Sequence, residues 1–330
     1  MRANFAAWPI WPPPPLWLPP LLACLPGAIL LSLLSANGAT PETCAIWIDT
    51  DLSIGSPVRE VDDAYALVVA AHSPALRICG VSSSYGNAPL PATTRRTRDL
   101  LNRLGLETPV HPGAAAADEL GHATAASEAL AHAARKERRL TYVALGPLTN
   151  LATFLSLHPE RADVFEQIIM VAGKSPGATL GFGPGEKFRI HDANVVKDPA
   201  AVRIVLRSRV PILLAPIETS SRLLVRLGDL RRLRESGQPA LYLAQKSGPW
   251  LWFWTHIARA DGGPIFDALA AVAAARPSLL RREDRDAALD ADGHLIAAPA
   301  SNGRGRKVSF VTGFAAETKN FILERLLNNR

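Results

Sequence analysis

Residues 44–67 read CAIWIDTDLSIGSPVREVDDAYAL, and the architecture of the whole chain follows from how this stretch folds. Ala45, Ile46, Trp47 and Ile48 form an apolar, β-branched and aromatic run that reads as a buried strand ending in Asp49-Thr50-Asp51. A loop with Gly55 and Pro57 follows. Asp62-Asp63 then opens AYALVVAAH, an apolar segment of helical character. Four carboxylates therefore gather where a buried strand turns into a helix, the usual ligand position in an open α/β sheet. Helix capping accounts for one or two of them. A crowd of four is electrostatically expensive without a positive partner. An all-oxygen donor set favours a hard divalent cation such as Ca²⁺ or Mg²⁺.

Outward from this stretch, strand-like runs recur at 76–82, 140–145, 168–171 and 210–214. Helical runs lie at 63–72, 93–104, 125–138, 150–157 and 199–208. The alternation predicts βαβ units, and hence an α/β fold with a doubly wound, mainly parallel (mixed) sheet and helices on both faces. Residues 223–248 read as helical and basic, 247–260 are aromatic-rich, and 266–275 resume a helix. The C-terminal part offers hairpin-like strands at 293–297 and 307–312 and a closing helix at 315–327. No linker divides residues 40–330, so a single domain is expected there.

Composition narrows the function classes. The 330 residues are 48% hydrophobic and 20% charged, as in an ordinary globular protein. The net charge of +6 comes largely from scattered arginines such as Arg95, Arg96, Arg98, Arg231, Arg232 and Arg234. No aromatic interleaving accompanies them, so they read as solvated helix faces and no nucleic-acid partner is expected. Cys24, Cys44 and Cys79 form neither a disulfide framework nor a zinc pattern. Cys44 and Cys79 read as free buried thiols, with a bridge between them left open if the protein is exported.

Residues 1–39 stand apart. Arg2 is followed by a proline-rich patch, an apolar core around 21–34, and Ala36, Gly38 and Ala39 as small residues at a cleavage position. This is the pattern of a secretory signal peptide, so export is expected, periplasmic or secreted; an N-terminal membrane anchor is the alternative. Pro19, Pro20 and Pro26 make a regular spanning helix less comfortable.

If the strands end on a common edge, several polar loops converge with the aspartates. They are residues 82–87 (SSSYGN), 145–150 (LGPLTN), 188–199 (FRIHDANVVKDP) and 264–267 (PIFD). Taken singly, Asn87, Asn150 and Asp267 also read as turn or cap residues.

Taken in order, these motifs resemble the inosine–uridine-preferring nucleoside hydrolase family. The DxD strand and DDAxAL helix resemble Asp49, Asp51, Asp62, Asp63 and Ala64-Tyr65-Ala66-Leu67. The family's GN and TTRN elements resemble Gly86-Asn87 and Thr93-Thr94-Arg95, and its ALGPLTN turn is matched at 144–150. Its acidic-x-Asn and DPxAA elements resemble Asp192-Ala193-Asn194 and Asp198-Pro199-Ala200-Ala201, and its late aspartate resembles Asp267. The resemblance implies a single nucleoside-hydrolase-like catalytic domain, Ca²⁺-dependent cleavage of a ribonucleoside to ribose and free base, a place in purine or pyrimidine salvage, and a homo-oligomer, dimer or tetramer. It implies that Asp51, Asp63, Asp267 and the backbone carbonyl of Leu145 hold Ca²⁺. Asp51 would also take the proton of a metal-bound water. Asp62, Asn87, Asp192 and Asn194 would bind the ribose hydroxyls.

Two departures shape the expectations. Residues 52–61 are longer than the family loop and are expected to bulge outward. Phe266 stands where many members carry the histidine that protonates the departing base. His122, His191 and His256 are candidate replacements, His191 being nearest the expected sugar site. Two readings of the nearby aromatics stay open: Phe266 stacks on a base with Trp252 and Trp254 lining the same pocket, or these residues pack as core. Loss of leaving-group activation would make the chain a nucleoside- or ribose-binding protein of the same fold. A phosphohydrolase of the haloacid-dehalogenase type, which also opens on DxD, would need Asp49 as nucleophile and leaves the later motifs unexplained.

Overall fold

The computed structural model describes residues 43–56, 59–300 and 305–328. The leader expected at 1–39 lies outside the described residues. From the amino end, the elements are β1 (Cys44–Thr50), α1 (Asp62–Ala71), β2 (Leu76–Ser83), α2 (Leu90–Arg103) and β3 (Val110–Pro112). Then come α3 (Ala125–Lys136), β4 (Leu140–Ala144), α4 (Thr149–Leu157) and β5 (Phe165–Met170). A small hairpin, β6 (Leu180–Phe182) with β7 (Phe188–Ile190), precedes α5 (Ala193–Val196), α6 (Pro199–Arg207), β8 (Ile212–Leu214) and α7 (Ile217–Ser220). A two-residue strand β9 (Leu224–Val225) leads into α8 (Leu227–Arg234) and α9 (Ala240–Trp252), and pairs with β10 (Gly263–Pro264). The chain closes with α10 (Ala268–Ala275), β11 (Leu280–Leu289), β12 (Leu295–Pro299), β13 (Arg306–Phe314) and α11 (Thr318–Leu327).

Nine strands form one sheet in the order β12-β11-β13-β8-β5-β4-β1-β2-β3. The run from β13 to β3 is parallel, and β11 and β12 are antiparallel additions at one edge. The period-2 alternation of β1 explains why helices must cover both faces. Ile46 and Ile48 point into a core built with α1, α10 and α11. Ala45 and Trp47 point into a second core with α3, α4 and α6. Trp47 is fully buried and packs against Gly80, where a Cβ would come within 2.2 Å of the indole. α10 is almost pure alanine and wholly buried along residues 268–273, so small side chains let it sit close against α1.

Three expectations need correction. Residues 223–248 are not one helix, because β9 and the turn at the cis Gln238-Pro239 bond split them into α8 and α9. The strands expected at 293–297 and 307–312 exist as β12 and β13, yet they do not pair with each other; both flank β11. β11 reads LRREDRDAAL, and five of its ten side chains are exposed, so no apolar run marks it. Cys44 and Cys79 are free and half-buried. Among the described residues, no helix is long and apolar enough to cross a membrane.

Candidate functional site

Strand order reverses at β1, which sends its connection to β2 on one side and has β4 as its other neighbour. The carboxyl edge between β1 and β4 is thus a topological switch point, where the outgoing loops splay apart and leave a crevice. The side chains expected from the sequence meet there.

Asp51 leaves the end of β1 fully buried. Its Oδ2 accepts the Asn87 backbone N–H at 2.7 Å, and its Oδ1 accepts Asn87 Nδ2 at 3.3 Å. Lys197 Nζ lies 3.6 Å from Oδ2, a counter-charge that the sequence pattern did not signal. Burial raises the Asp51 carboxyl above its ordinary value, and the Lys197 charge and the Asn87 hydrogen bond oppose that rise. The neighbouring loop can approach so closely because of Gly86, whose φ is +149° and whose added Cβ would fall 1.8 Å from Asp51 Oδ2. Gly86→Ala is therefore expected to cost about 1–3 kcal/mol in backbone strain. Because it also displaces Asp51, turnover should fall by roughly 10²-fold. Thermal melting together with an activity assay checks both.

Asp62, Asp63 and Asp267 each present an oxygen within 4.8 Å of the others, and all three are buried. Asp62 and Asp63 fill the first turn of α1, where the helix N-terminus favours negative charge. Thr50 Oγ1 donates to Asp63 Oδ1. Asp62 Oδ1 and Asp63 Oδ2 are buried without a hydrogen-bond partner among the described residues. All three carboxyls are pushed well above their ordinary value, first by burial and then by neighbouring acids. Orphaned buried oxygens, an oxygen-only donor set and uncompensated repulsion together fit a hard divalent cation. The Leu145 carbonyl accepts Asn194 Nδ2 at 2.8 Å and keeps a second lone pair. Asp62, expected on the sugar, belongs to this acidic group as well.

Above the carboxylates opens a cavity of about 290 Å³ whose wall carries Asp62, Asn87, Leu145, His191, Asp192, Asn194, Phe266 and Asp267. Asp192 caps α5: its oxygens accept Gly173 N–H at 2.6 Å and Val195 N–H at 3.3 Å, and burial raises it to about 6. Asn194 Nδ2 bridges the Leu145 and Val171 carbonyls, which ties α5 to β4 and β5. Asp49 sits behind the wall and accepts Ser82 Oγ at 2.5 Å and Asn150 Nδ2 at 2.8 Å. Asn150 thus supports the β1 end and does not face the cavity.

Residues 52–61 do not simply bulge outward. Leu52, Ser53 and Ile54 are buried, and the chain returns to place Arg59 and Glu60 on the cavity wall. Glu60 accepts Trp250 Nε1 at 3.0 Å and is pushed up to about 7 by burial and by the Asp51 charge. That contact spans 190 positions, so no local pattern announced it. Trp252 and Trp254 do not line the cavity. Trp252 is exposed and stacked on His256, and Trp254 is buried edge-on against Phe182 at 4.6 Å. Of the three candidate histidines, His191 is the one on the wall. A larger open cavity of about 810 Å³ lies at the amino ends of the strands, where Arg77–Glu137 and Arg139–Glu166 neutralise each other.

Comparison with known proteins agrees with this geometry. The profile of the family described as inosine-uridine preferring nucleoside hydrolase matches residues 46–320. A pyrimidine-specific ribonucleoside hydrolase RihA from Enterobacter sp. (strain 638) is 29% identical over 267 residues, 70% of this chain and 81% of the relative. The RihA of Salmonella paratyphi C (strain RKS4594) is 28% identical over 211 residues, so the match spans 54% of this chain and 64% of that relative's length. Among solved structures, the plant nucleoside hydrolase PpNRh1 superposes with a TM-score of 0.73 at 24% identity, covering 86% of this chain and 99% of that one. A purine-preferring ribonucleoside hydrolase from Gardnerella vaginalis gives 0.73 at 20% identity, covering 86% and 98%. These two likenesses speak for the fold. The profile match runs from β1 into α11, across every loop that meets at the switch point. The chain belongs to the inosine-uridine preferring nucleoside hydrolase family.

Proposed function

We propose that the protein hydrolyses the N-glycosidic bond of ribonucleosides to ribose and free base, with Ca²⁺ held by Asp51, Asp63, Asp267 and the Leu145 carbonyl, and with Asp62 beside them. The observation that carries this reading is the set of buried, unpartnered carboxylate oxygens beside a small cavity lined by both polar and apolar side chains. Bound there, Ca²⁺ would supply the positive charge that acidifies a water and fixes the ribose diol. Asp51, held in place by Asn87 and Lys197, accepts the proton of the attacking water. Asp62, Asn87, Asp192 and Asn194 hold the sugar. The carboxylates beside the ring stabilise the positive charge that develops as the C–N bond breaks. A dimer or tetramer and export through residues 1–39 belong to the same proposal.

Phe266 supports a second reading. It is buried on the cavity wall and offers no proton to a leaving base, and on this reading the chain binds nucleosides and cleaves them poorly. Base release from uridine, inosine and a p-nitrophenyl riboside distinguishes the two. Saturable binding without release from any of them supports the binding protein and removes the hydrolase. Phe266→His is expected to raise inosine turnover by about 10²-fold, the lower end for a general acid. The p-nitrophenyl riboside, whose leaving group needs little protonation, should be cleaved at an unchanged rate.

A further inference from the structure

A second cavity of about 80 Å³ adjoins the first, and the two share Ile190, His191, Asp192 and Ile217. Its remaining wall sets Lys174, Arg189 and His294 among the uncharged Ala178, Thr179, Leu180 and Leu295. Lys174 follows the end of β5, Arg189 projects from β7, and His294 stands ahead of β12 with its ring 6.3 Å from His191 and nearly parallel to it. Neither Lys174 nor Arg189 has an acidic partner or a side-chain hydrogen bond among the described residues. His294 is already engaged, with Nδ1 3.3 Å from Asp290 Oδ2. Asp192 is the one carboxylate on this wall, and both its oxygens accept backbone N–H groups. Two cations beside a small hollow, neither in a salt bridge among the described residues and with Asp192 turned to backbone N–H groups, form a site for a compact anion; Arg and Lys are the side chains suited to phosphate.

The position of the hollow selects where on the substrate that anion sits. It shares the Ile190–Asp192 wall with the main cavity, on the side where Asp192 is proposed to hold the sugar. Arg59, Glu60 and Phe266 line the main cavity and take no part in the annex. We infer that the annex formed by Lys174, Arg189 and the His191–His294 pair binds a phosphate carried on the 5′ carbon of the sugar, so that the site takes ribonucleoside 5′-monophosphates in preference to the unphosphorylated nucleosides. This rests on the proposed hydrolase reading for the chemistry and on the annex alone for the recognition. In the reaction, water oxygen bonds to C1′ as the C1′–N bond breaks. The bonding pair leaves with the base nitrogen, which takes up a proton, and the phosphate ester is untouched.

The test uses the full chain with Ca²⁺ and two pairs of probes. By calorimetry, ribose 5-phosphate is expected to bind at least tenfold more tightly than ribose, and the double variant Lys174→Ala/Arg189→Ala should bind both alike. Lys174→Gln and Arg189→Gln, tested singly, report the same loss in part if the double variant folds poorly. In base release, uridine 5′-monophosphate should exceed uridine in kcat/KM by at least tenfold, and the variants should lose that advantage while cleaving uridine as before. Equal binding of ribose and ribose 5-phosphate, or a preference that survives both substitutions, overturns the inference. Cleavage of uridine with refusal of its 5′-phosphate also overturns it and leaves the hydrolase reading standing. Binding of ribose 5-phosphate through Lys174 and Arg189 with no base released from either substrate upholds the annex and removes the hydrolase reading.

Discussion

Asp51→Asn is expected to lower base release from uridine or inosine by about 10²–10⁴-fold, the range for losing a general base. Asparagine has the shape of aspartate and can still accept the Asn87 backbone N–H through its amide oxygen, so the loop 83–87 should stay in place. What it lacks is basicity and charge. It cannot take a proton from water, and Lys197, 3.6 Å away, loses its partner. The exchange also removes one carboxylate from the cation site, so Ca²⁺ affinity should fall in calorimetry. Single-turnover base release separates the two effects, because saturating Ca²⁺ restores occupancy without restoring the base. A variant that retains wild-type rates at saturating Ca²⁺ would mean that Asp51 is not the base. Asp49→Asn makes a useful contrast, since Asp49 is engaged with Ser82 and Asn150 and acts only by holding the β1 end.

Metal dependence should be visible in stability before any substrate is added. Asp62, Asp63 and Asp267 have carboxyls raised well above their ordinary value, and Glu60 is raised to about 7. A carboxyl whose folded value lies above its unfolded value keeps a proton in the native state that the unfolded chain releases. Its contribution to stability is complete below the unfolded value and is lost as pH rises through the folded one. Without metal, the melting temperature should therefore drop from pH 5 to pH 8 as these groups are forced to ionise in a buried site. Ca²⁺ reverses the balance, because it binds the ionised form and competes with protons. At a free concentration 100 times its Kd it adds about 2.7 kcal/mol, which is a rise of roughly 4 °C for a chain of this size. The gain should be greatest at pH 8 and least at pH 5. Melting curves that coincide with Ca²⁺ and with chelator at pH 8 would contradict a cation site in this cluster.

Much of this was legible in the sequence because the relevant signals are local. The run at 45–48 is apolar on both faces of the sheet, so it read as a buried strand, and β1 covers it. The DxD and DDA elements are anchored to that strand and to α1, so their meeting followed from the βαβ pattern alone. The DP pair at 198–199 announced a helix start, and Asp198 does cap α6 by accepting the Ala201 N–H at 2.9 Å. What escaped notice depends on residues far apart in the chain. Lys197 meets Asp51 across 146 positions, and Trp250 meets Glu60 across 190. No periodicity encodes such pairs. Strand β11 escaped for a different reason: at the mixed edge much of it faces solvent, so it carries charges where a central strand carries valine or isoleucine. The aromatic stretch 247–260 left two readings open because core packing and ligand stacking ask for the same residue types; Trp250 and Trp254 are core, as the packing reading has it for Trp254, and Trp252 is on the surface.

The central claim is that the switch-point carboxylates run a Ca²⁺-dependent cleavage of a ribosyl C–N bond. Its most direct test is chromatographic detection of free base from uridine and inosine, with the full-length protein in Ca²⁺ and again after chelation. The account predicts equal amounts of free base and ribose in Ca²⁺, loss of both on chelation, and recovery when Ca²⁺ is restored. Nucleoside that binds and is recovered intact, or base release that chelation leaves unchanged, would contradict it.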